Sequence, residues 1–337
     1  MATAVLARTA WVWLFHQPYL LLTLTTLAWA GNAVASRLAA GHISPMALTA
    51  LRWVGVVALL APFMIRPVRA AAPVVLPIWR RVLVMGGLGF TAFNALMYAA
   101  AYHTTAVNIA IFQGAIPVVV LIGGLIAFGT RIGLLQALGT ALTLVGVGAI
   151  AARGDLQVLA SFSFLVGDVF MLIACASYAV YTLALRDRPK VSGFVFFSVL
   201  ALAALAISLP LLAWEIAAGE VIWPDLRGFA IILYVTLFPS LLSQVFFMRG
   251  VELIGPSRAG LFVNLVPVFG AILGVAILGE PFRWYHAVGL VLVLGGIWLA
   301  ERKSEQAIPT CDPLSRPIEG LFGGPAKGTQ NLNKPQQ

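Results

Sequence analysis

One arginine, Arg52, stands about a third of the way into an otherwise apolar run. A charge inside hydrocarbon costs about 3 kcal/mol unless it is paired or hydrated, so this side chain has two readings. It anchors a substrate carboxylate, or it is a structural arginine bonding helix carbonyls or an acid at its own level. Asp168, near the start of a later apolar run, is the acid available by position. Other polar side chains recur at helical spacing. Asn94, Tyr98 and Tyr102 follow i, i+4, i+8 and form one stripe. Gln113 shares a helix face with Pro117, Ser240 shares one with Gln244, and Asn264 lies close to Pro267. Asn32 is the nearest polar residue in the first run, and Tyr178 and Tyr181 are i, i+3 neighbours with Trp29 at the matching place in the first half. A single such residue can simply join two helices, at about 0.6 kcal/mol per bond. Amides, phenols and hydroxyls on five helices are better explained by a shared hydrated cavity that binds a small polar solute.

Bond-breaking chemistry has little support. His16, His42, His103 and His286 all fall at the ends of apolar runs, and neither His-Glu-x-x-His nor Gly-x-Ser-x-Gly occurs. Cys175 and Cys311 are too few for a disulfide framework or a metal site. No catalytic residue, metal or cofactor is therefore expected. No run holds a deep Asp or Glu, and carriers driven by protons or sodium usually keep one. That points to a facilitator or exchanger rather than a strongly proton-coupled pump. A single buried arginine also argues against phosphate-rich solutes such as nucleotide sugars, which call for several cations.

The elements that must position these residues are membrane helices. The chain has 337 residues, 61% hydrophobic and 10% charged, and its mean hydropathy is +0.97. Soluble domains carry about 25% charged residues. Ten apolar segments of roughly 20 residues lie near 18–38, 45–65, 81–102, 106–128, 133–152, 164–184, 192–214, 228–248, 259–278 and 284–300. The fold class expected is all-α and membrane-integral. Residues 1–17 are a lead-in whose Trp11, Trp13 and Phe15 lie along the interface, and residues 304–337 read as a disordered tail. Ala33-Val34-Ala35 before Ser36 resembles a signal cleavage site, but the preceding apolar run is long and the segment is needed as a helix.

The net charge of +9 sits in short loops, which is a topology signal and not a nucleic-acid footprint. With a cytoplasmic N-terminus, the inner loops hold Arg66, Arg69, Arg80, Arg81, Arg131, Arg186, Arg188, Lys190, Arg249 and Arg258, followed by Arg302 and Lys303. Only Arg37, Arg153, Arg227 and Arg283 fall outside. Both termini are thus expected in the cytoplasm, in a bacterial-type inner (plasma) membrane.

Asn108 to Ile150 and Arg258 to Ala300 align without a gap at an offset of 150. Phe112 falls on Phe262, Pro117 on Pro267, Gly124 on Gly274, Gly129 on Gly279, Gly139 on Gly289 and Gly146 on Gly296. Each copy, 18–153 and 163–303, holds five helices, an odd number, so the second is inverted. The loops agree: the link between segments two and three carries four arginines, whereas its counterpart carries Glu215, Glu220 and Asp225 with Arg227. Inverted repeats build many secondary transporters. Pro117 and Pro267 should kink matching helices, free the Gln113 and Val263 carbonyls and act as hinges. Gly270 with Gly274, and Gly86, Gly87 and Gly89, are packing faces.

In these residues the chain resembles the EamA-type ten-helix permeases of the drug/metabolite transporter superfamily. The resemblance is carried by Trp29 to Arg37; Ser44-Pro45 with Arg52; and Asn94, Tyr98, Tyr102, Thr105 to Asn108 and Pro117. It continues through Asn264 to Pro267, Leu278-Gly279-Glu280, and Gly289 to Gly296, and it spans roughly 18–303. It implies two inverted five-helix repeats and export of small metabolites, amino acids or related zwitterions first, by alternating access around a midplane cavity. The implied partners are a small-molecule substrate and the lipid bilayer, in a monomer or homodimer. The alternatives are a lipid flippase or a drug or other-metabolite efflux carrier. A membrane glutamate on which small multidrug relatives depend is missing, Asn32 being the nearest polar residue. The family's Leu-Gly-Glu-Arg turn here reads Phe128-Gly129-Thr130-Arg131, while the second copy keeps Glu280, so any bracing by that glutamate is lopsided.

Overall fold

The computed structural model describes residues 13–129, 133–155 and 165–301. Among these residues every regular element is helical. The helices are α1 Pro18–Ala39, α2 Pro45–Val75, α3 Trp79–Gly86, α4 Phe93–Ala100, α5 Ala106–Gln113, α6 Ile116–Phe128 and α7 Leu134–Ala151. In the second half come α8 Val166–Ala184, α9 Gly193–Ala217, α10 Leu226–Val235, α11 Ser243–Ile254, α12 Pro256–Val263, α13 Val266–Leu278 and α14 Trp284–Glu301. Thr130, Arg131, Trp11 and the 304–337 tail lie outside the described residues.

Seven described helical runs are long and apolar enough to cross a membrane by length and composition. One of them, Pro45–Ala100, is a run of 56 residues, about 84 Å at 1.5 Å per residue, against a hydrocarbon core of about 30 Å. It therefore has to fold back, and the 3-10 turn Leu76–Ile78 is where regular α-geometry stops. Trp53 and Phe90, in its two arms, stack at 5.1 Å. The first arm reaches Val75, beyond the expected end at 65, and runs on through Pro62, Pro67 and Pro73. Trp284–Ala300 is apolar but shorter than the seven. Pro18–Ala39 is not among them, and it carries threonines, Asn32 and Arg37. Large side chains such as Ile126, Leu134 and Val291 stay exposed, as a lipid-facing surface requires.

Helices associate in lipid through close packing and not through burial from water, so small residues mark their contacts. Helices α7 and α14 pack antiparallel: Gly139 rests against Gly296, and Gly146 against Gly289. A methyl on Gly146 would stand 2.9 Å from the Gly289 carbonyl oxygen. These are the glycines related by the offset of 150, so the contact is reciprocal, as across a two-fold axis. Helices α5 and α13 also run antiparallel, with Gly270 against Ala110, Gly274 against Val107 and Gly114 against Pro267.

The two prolines do more than kink their helices. Each run stops and restarts, at Gly114-Ala115 and at Asn264-Leu265, through i to i−3 bonds. The Gly114 and Ala115 amides donate to Ile111 and Phe112 at 2.9 Å, and those of Asn264 and Leu265 to Leu261 and Phe262 at 3.3 and 2.9 Å. Pro117 and Pro267 are the second residues of α6 and α13, where a missing N–H leaves no bond unmade.

Two π-helical turns, Gly87–Ala92 and Thr236–Leu242, join α3 to α4 and α10 to α11. Pro239 lies in the second, and Gly89 stands 150 residues earlier. Such widened turns often mark functional sites.

Glu215 is buried at the end of α9 and caps α2 from across the bundle. It accepts from Ser44 Oγ at 2.5 Å, Ala47 N at 3.1 Å and Met46 N at 3.2 Å. A carboxylate on free N–H groups at a helix N-terminus is favourable on both hydrogen-bond and dipole grounds. Glu215→Ala leaves these donors unmet and should destabilise the protein by about 2–3 kcal/mol. A fall in melting temperature in detergent, restored only in part by Glu215→Gln, whose NH2 cannot accept from these donors, would report it.

Candidate functional site

Five of the ten residues expected to line a cavity meet around Arg52. Arg52 begins about 10 Å along α2 from Pro45 and is 4% exposed. Its Nε donates to Ser240 Oγ at 2.5 Å, and its Nη1 to Asn94 Oδ1 at 2.5 Å and Tyr98 OH at 2.6 Å. Tyr98 OH donates onward to Asn32 Oδ1 at 3.3 Å, and Asn32 Nδ2 donates to Asn94 Oδ1 at 3.4 Å.

One π turn holds Ser240, and Asn94 follows the other by two residues. Ser240 Oγ donates to the Val235 carbonyl five residues back, at 2.5 Å. That fixes the hydroxyl hydrogen and turns an oxygen lone pair toward Arg52. Asn94 Nδ2 donates to Phe90 O at 2.6 Å, which likewise leaves Oδ1 as the acceptor.

Every partner of the guanidinium is neutral. The four ion pairs among the described residues are Arg37–Glu280, His42–Asp225, Arg81–Asp187 and Arg249–Glu252. The pairing of Arg52 with Asp168 is not formed: Asp168 instead accepts from Thr104 Oγ1 at 2.9 Å. The reason is depth along α4, on which both α2 and α8 pack: Arg52 reaches Asn94 and Tyr98 within that helix, whereas Asp168, in the first turn of α8, meets Thr104 beyond its end at Ala100.

An aromatic wall adjoins Arg52. Phe90 is stacked on Trp53 and lies 5.5 Å from Tyr181; Tyr181 meets Tyr178 edge-on at 5.3 Å, and Tyr178 meets Phe93 at 5.1 Å. Tyr178 and Tyr181 thus stand beside the polar cluster without bonding to it.

The remaining expected residues are elsewhere. Gln113 is half-buried at the α5 break and donates to Ile109 O at 3.3 Å. Asn264 is half-buried at the matching break, and Gln244 is half-buried on α11 outside the Arg52 cluster. Tyr102 does not continue the Asn94–Tyr98 stripe. Its helix ends at Ala100, and its hydroxyl donates to Ile43 O at 3.1 Å.

Tyr234 was not expected here. Gly31, next to Asn32, packs against its hydroxyl so closely that any Cβ would overlap it. The signal available was the i, i+4 pair Tyr234 and Phe238, whose rings stack at 5.3 Å.

Glu280 does not brace its own turn. It accepts from Ala106 N at 2.9 Å and Val107 N at 3.0 Å, so it caps α5 in the other copy. The lopsidedness has a counterpart in sequence. Pro256, which has no N–H, stands 150 residues after Ala106, as Glu280 stands 150 after Thr130.

A second tie at the same end links His42 Nδ1 and Asp225 Oδ2 at 2.7 Å. The Gly228 amide first, and His42 second, hold the Asp225 carboxyl below its usual range. A depressed carboxylate stabilises the fold above its unfolded pKa of about 3.9 and loses that contribution as pH falls through its lower folded value. Exchange of the Gly228 amide should therefore accelerate on acidification below about pH 4, and Asp225→Asn should flatten that response.

Comparison with known proteins gives a consistent result. The model of the EamA-like transporter family matches residues 16–152 and, separately, 165–301. The uncharacterized transporter YyaM of Bacillus subtilis is 26% identical over 65% of this chain and 72% of its own. An uncharacterized transporter of Archaeoglobus fulgidus is 26% identical over 86% of this chain and 98% of its own. Uncharacterized protein PA1977 of Pseudomonas aeruginosa is 30% identical over 83% and 93%. A solved protein crystal structure matches with a TM-score of 0.56 and 18% identity, covering 84% of this chain and 96% of its own; at that identity the likeness concerns the fold alone.

Proposed function

The chain belongs to the EamA-like transporter family and is a multi-pass membrane transporter of small molecules, and from that premise we propose that it exports amino acids or related zwitterions by alternating access. The observation that carries this reading is Arg52. A buried guanidinium held by three neutral acceptors, with no carboxylate among its described partners, leaves a net positive charge unanswered. An amino-acid carboxylate supplies the missing charge, and an apolar side chain fits against Tyr178, Tyr181, Phe90 and Trp53.

The transport cycle rests on ten membrane crossings arranged as two inverted five-helix repeats, 18–153 and 163–303, with both termini in the cytoplasm. The reciprocal, antiparallel glycine contact of α7 with α14 supports the inversion, as do the opposite charge biases of equivalent loops. The paired breaks at Pro117 and Pro267 serve as hinges on which the halves rock. Glu215, Glu280 and the His42–Asp225 tie hold together the end that this orientation puts outside.

Uptake of labelled amino acids into liposomes carrying the purified protein tests the reading. Saturable flux of at least one amino acid is expected. No saturable flux for any of the twenty would remove the substrate assignment and favour a lipid or drug carrier.

A further inference from the structure

Away from Arg52, a cavity of about 280 Å³ is lined by Arg37, His103, Thr104, Asn108, Arg153 and His286, among others. Beneath it runs a buried chain of hydrogen bonds with one direction. His286 Nδ1 accepts from the Arg283 amide at 3.0 Å, so Nε2 carries the ring proton and donates to Asn108 Oδ1 at 3.1 Å. Asn108 Nδ2 then donates to Thr104 Oγ1 at 3.0 Å, and Thr104 Oγ1 donates to Asp168 Oδ1 at 2.9 Å. The chain ends there. Asp168 is 1% exposed, and its Oδ2 is buried with no hydrogen-bond partner among the described residues.

An ionised carboxylate in such a place is expensive, because burial removes its water and only one donor replaces it. Arg153, Arg37, His103 and His286 are the basic groups on the cavity wall, and none forms an ion pair with Asp168. Tyr102 and Tyr285 also line the cavity, and Glu280 lies beside Arg37. From α5, Asn108 faces the Asp168 carboxyl directly as well as through Thr104, and of the basic groups Arg153 is the one whose charge acts on it. A neutral carboxylic acid fits these surroundings, and an ion does not.

We infer that Asp168 is a proton-binding carboxyl reached from this cavity, so that the solute carried past Arg52 is exchanged against a proton. On binding, hydronium gives its proton to Oδ2, one O–H bond forms and one water is released; on release the proton returns to water. Parting of Thr104 and Asn108, which line the cavity and cover Asp168, admits that water. The coupling rests on the transport reading above, but proton binding at Asp168 does not. The coupling departs from the expectation of a facilitator or exchanger rather than a strongly proton-coupled pump, and the gradient experiment below decides between them.

Infrared difference spectroscopy of the membrane-reconstituted protein across a pH titration tests the site without a substrate. The wild type should show a protonated-carboxyl C=O band that shifts in D2O. Asp168→Asn should lose it, Asp168→Glu should move it, and Thr104→Val, which keeps the carboxyl but removes its donor, should also move it. Identical spectra for wild type and a folded Asp168→Asn would overturn the inference. In liposomes, an imposed pH gradient should drive accumulation of labelled amino acid by the wild type. Asp168→Asn should accumulate no more than without a gradient while still exchanging. Gradient-driven accumulation by Asp168→Asn at the wild-type level would overturn the coupling. The band without any amino-acid flux would uphold the proton site and reject the amino-acid substrate.

Discussion

Replacing Arg52 with alanine should reduce transport about 100-fold while leaving the protein folded. The estimate is about 3 kcal/mol, at 1.4 kcal/mol per tenfold, the upper range for a hydrogen bond to a charged group. The effect on stability should have the opposite sign. Arg52 is an unneutralised charge inside the bundle, and its acceptors Ser240, Asn94 and Tyr98 already bond to backbone or to Asn32. Arg52→Met should therefore melt no lower than wild type. An arginine that merely knits the bundle would give the reverse, a lower melting temperature with parallel loss of all activity. Arg52→Lys separates charge from geometry. Lysine keeps the cation but cannot direct a planar fork at Ser240 on one side and Asn94 and Tyr98 on the other, so most of the loss should remain. Flux and thermal unfolding of the three variants measure both sides.

The second large effect is on assembly. Gly296→Leu should prevent the protein from accumulating as a folded species. A Cβ at Gly296 would meet Thr143 Oγ1, the Gly139 carbonyl oxygen and, at 2.7 Å, the Thr143 backbone nitrogen. Backbone cannot swing aside as a side chain can, so α7 and α14 must part. Overpacking costs about 1–3 kcal/mol where neighbours yield, and here they do not. Gly148→Leu is the matched control on α7, where, among the described residues, nothing outside the adjoining backbone lies within 4 Å of the added carbon. Its yield and monodispersity in detergent should equal wild type. Equal yields for the two variants would mean that the glycine contact does not hold the halves together.

What could be read in the sequence followed the physics that acts along a helix. Apolar length gave the membrane helices, and the offset of 150 gave the repeat that the family match then divided at 16–152 and 165–301. The i, i+4 spacing of Asn94 and Tyr98 put both on Arg52. Spacing along one helix does not say which helices meet. Asp168 looked level with Arg52, but it bonds Thr104 beyond the end of α4 while Arg52 bonds Asn94 and Tyr98 within it, so the expected pairing is not formed. Tyr102 fails for a related reason: the helix ends two residues before it, and the stripe with it. Glu215 and Glu280 looked like loop acids because their partners are backbone amides, which leave no mark in composition. The π turns left only a faint trace, Gly89 and Pro239 at equivalent places. The chain from His286 to Asp168 joins residues 108, 104, 168 and 286, and of these only Thr104 and Asn108 carry a helical spacing.

Arg52 should answer a substrate carboxylate. Counterflow of a labelled amino acid in proteoliposomes, with the unlabelled acid and its carboxamide as competitors, measures this. The acid should compete at least 10-fold better than the amide with wild-type protein, about 1.4 kcal/mol, and the preference should vanish in Arg52→Met. Equal competition by acid and amide with wild-type protein would contradict the assignment.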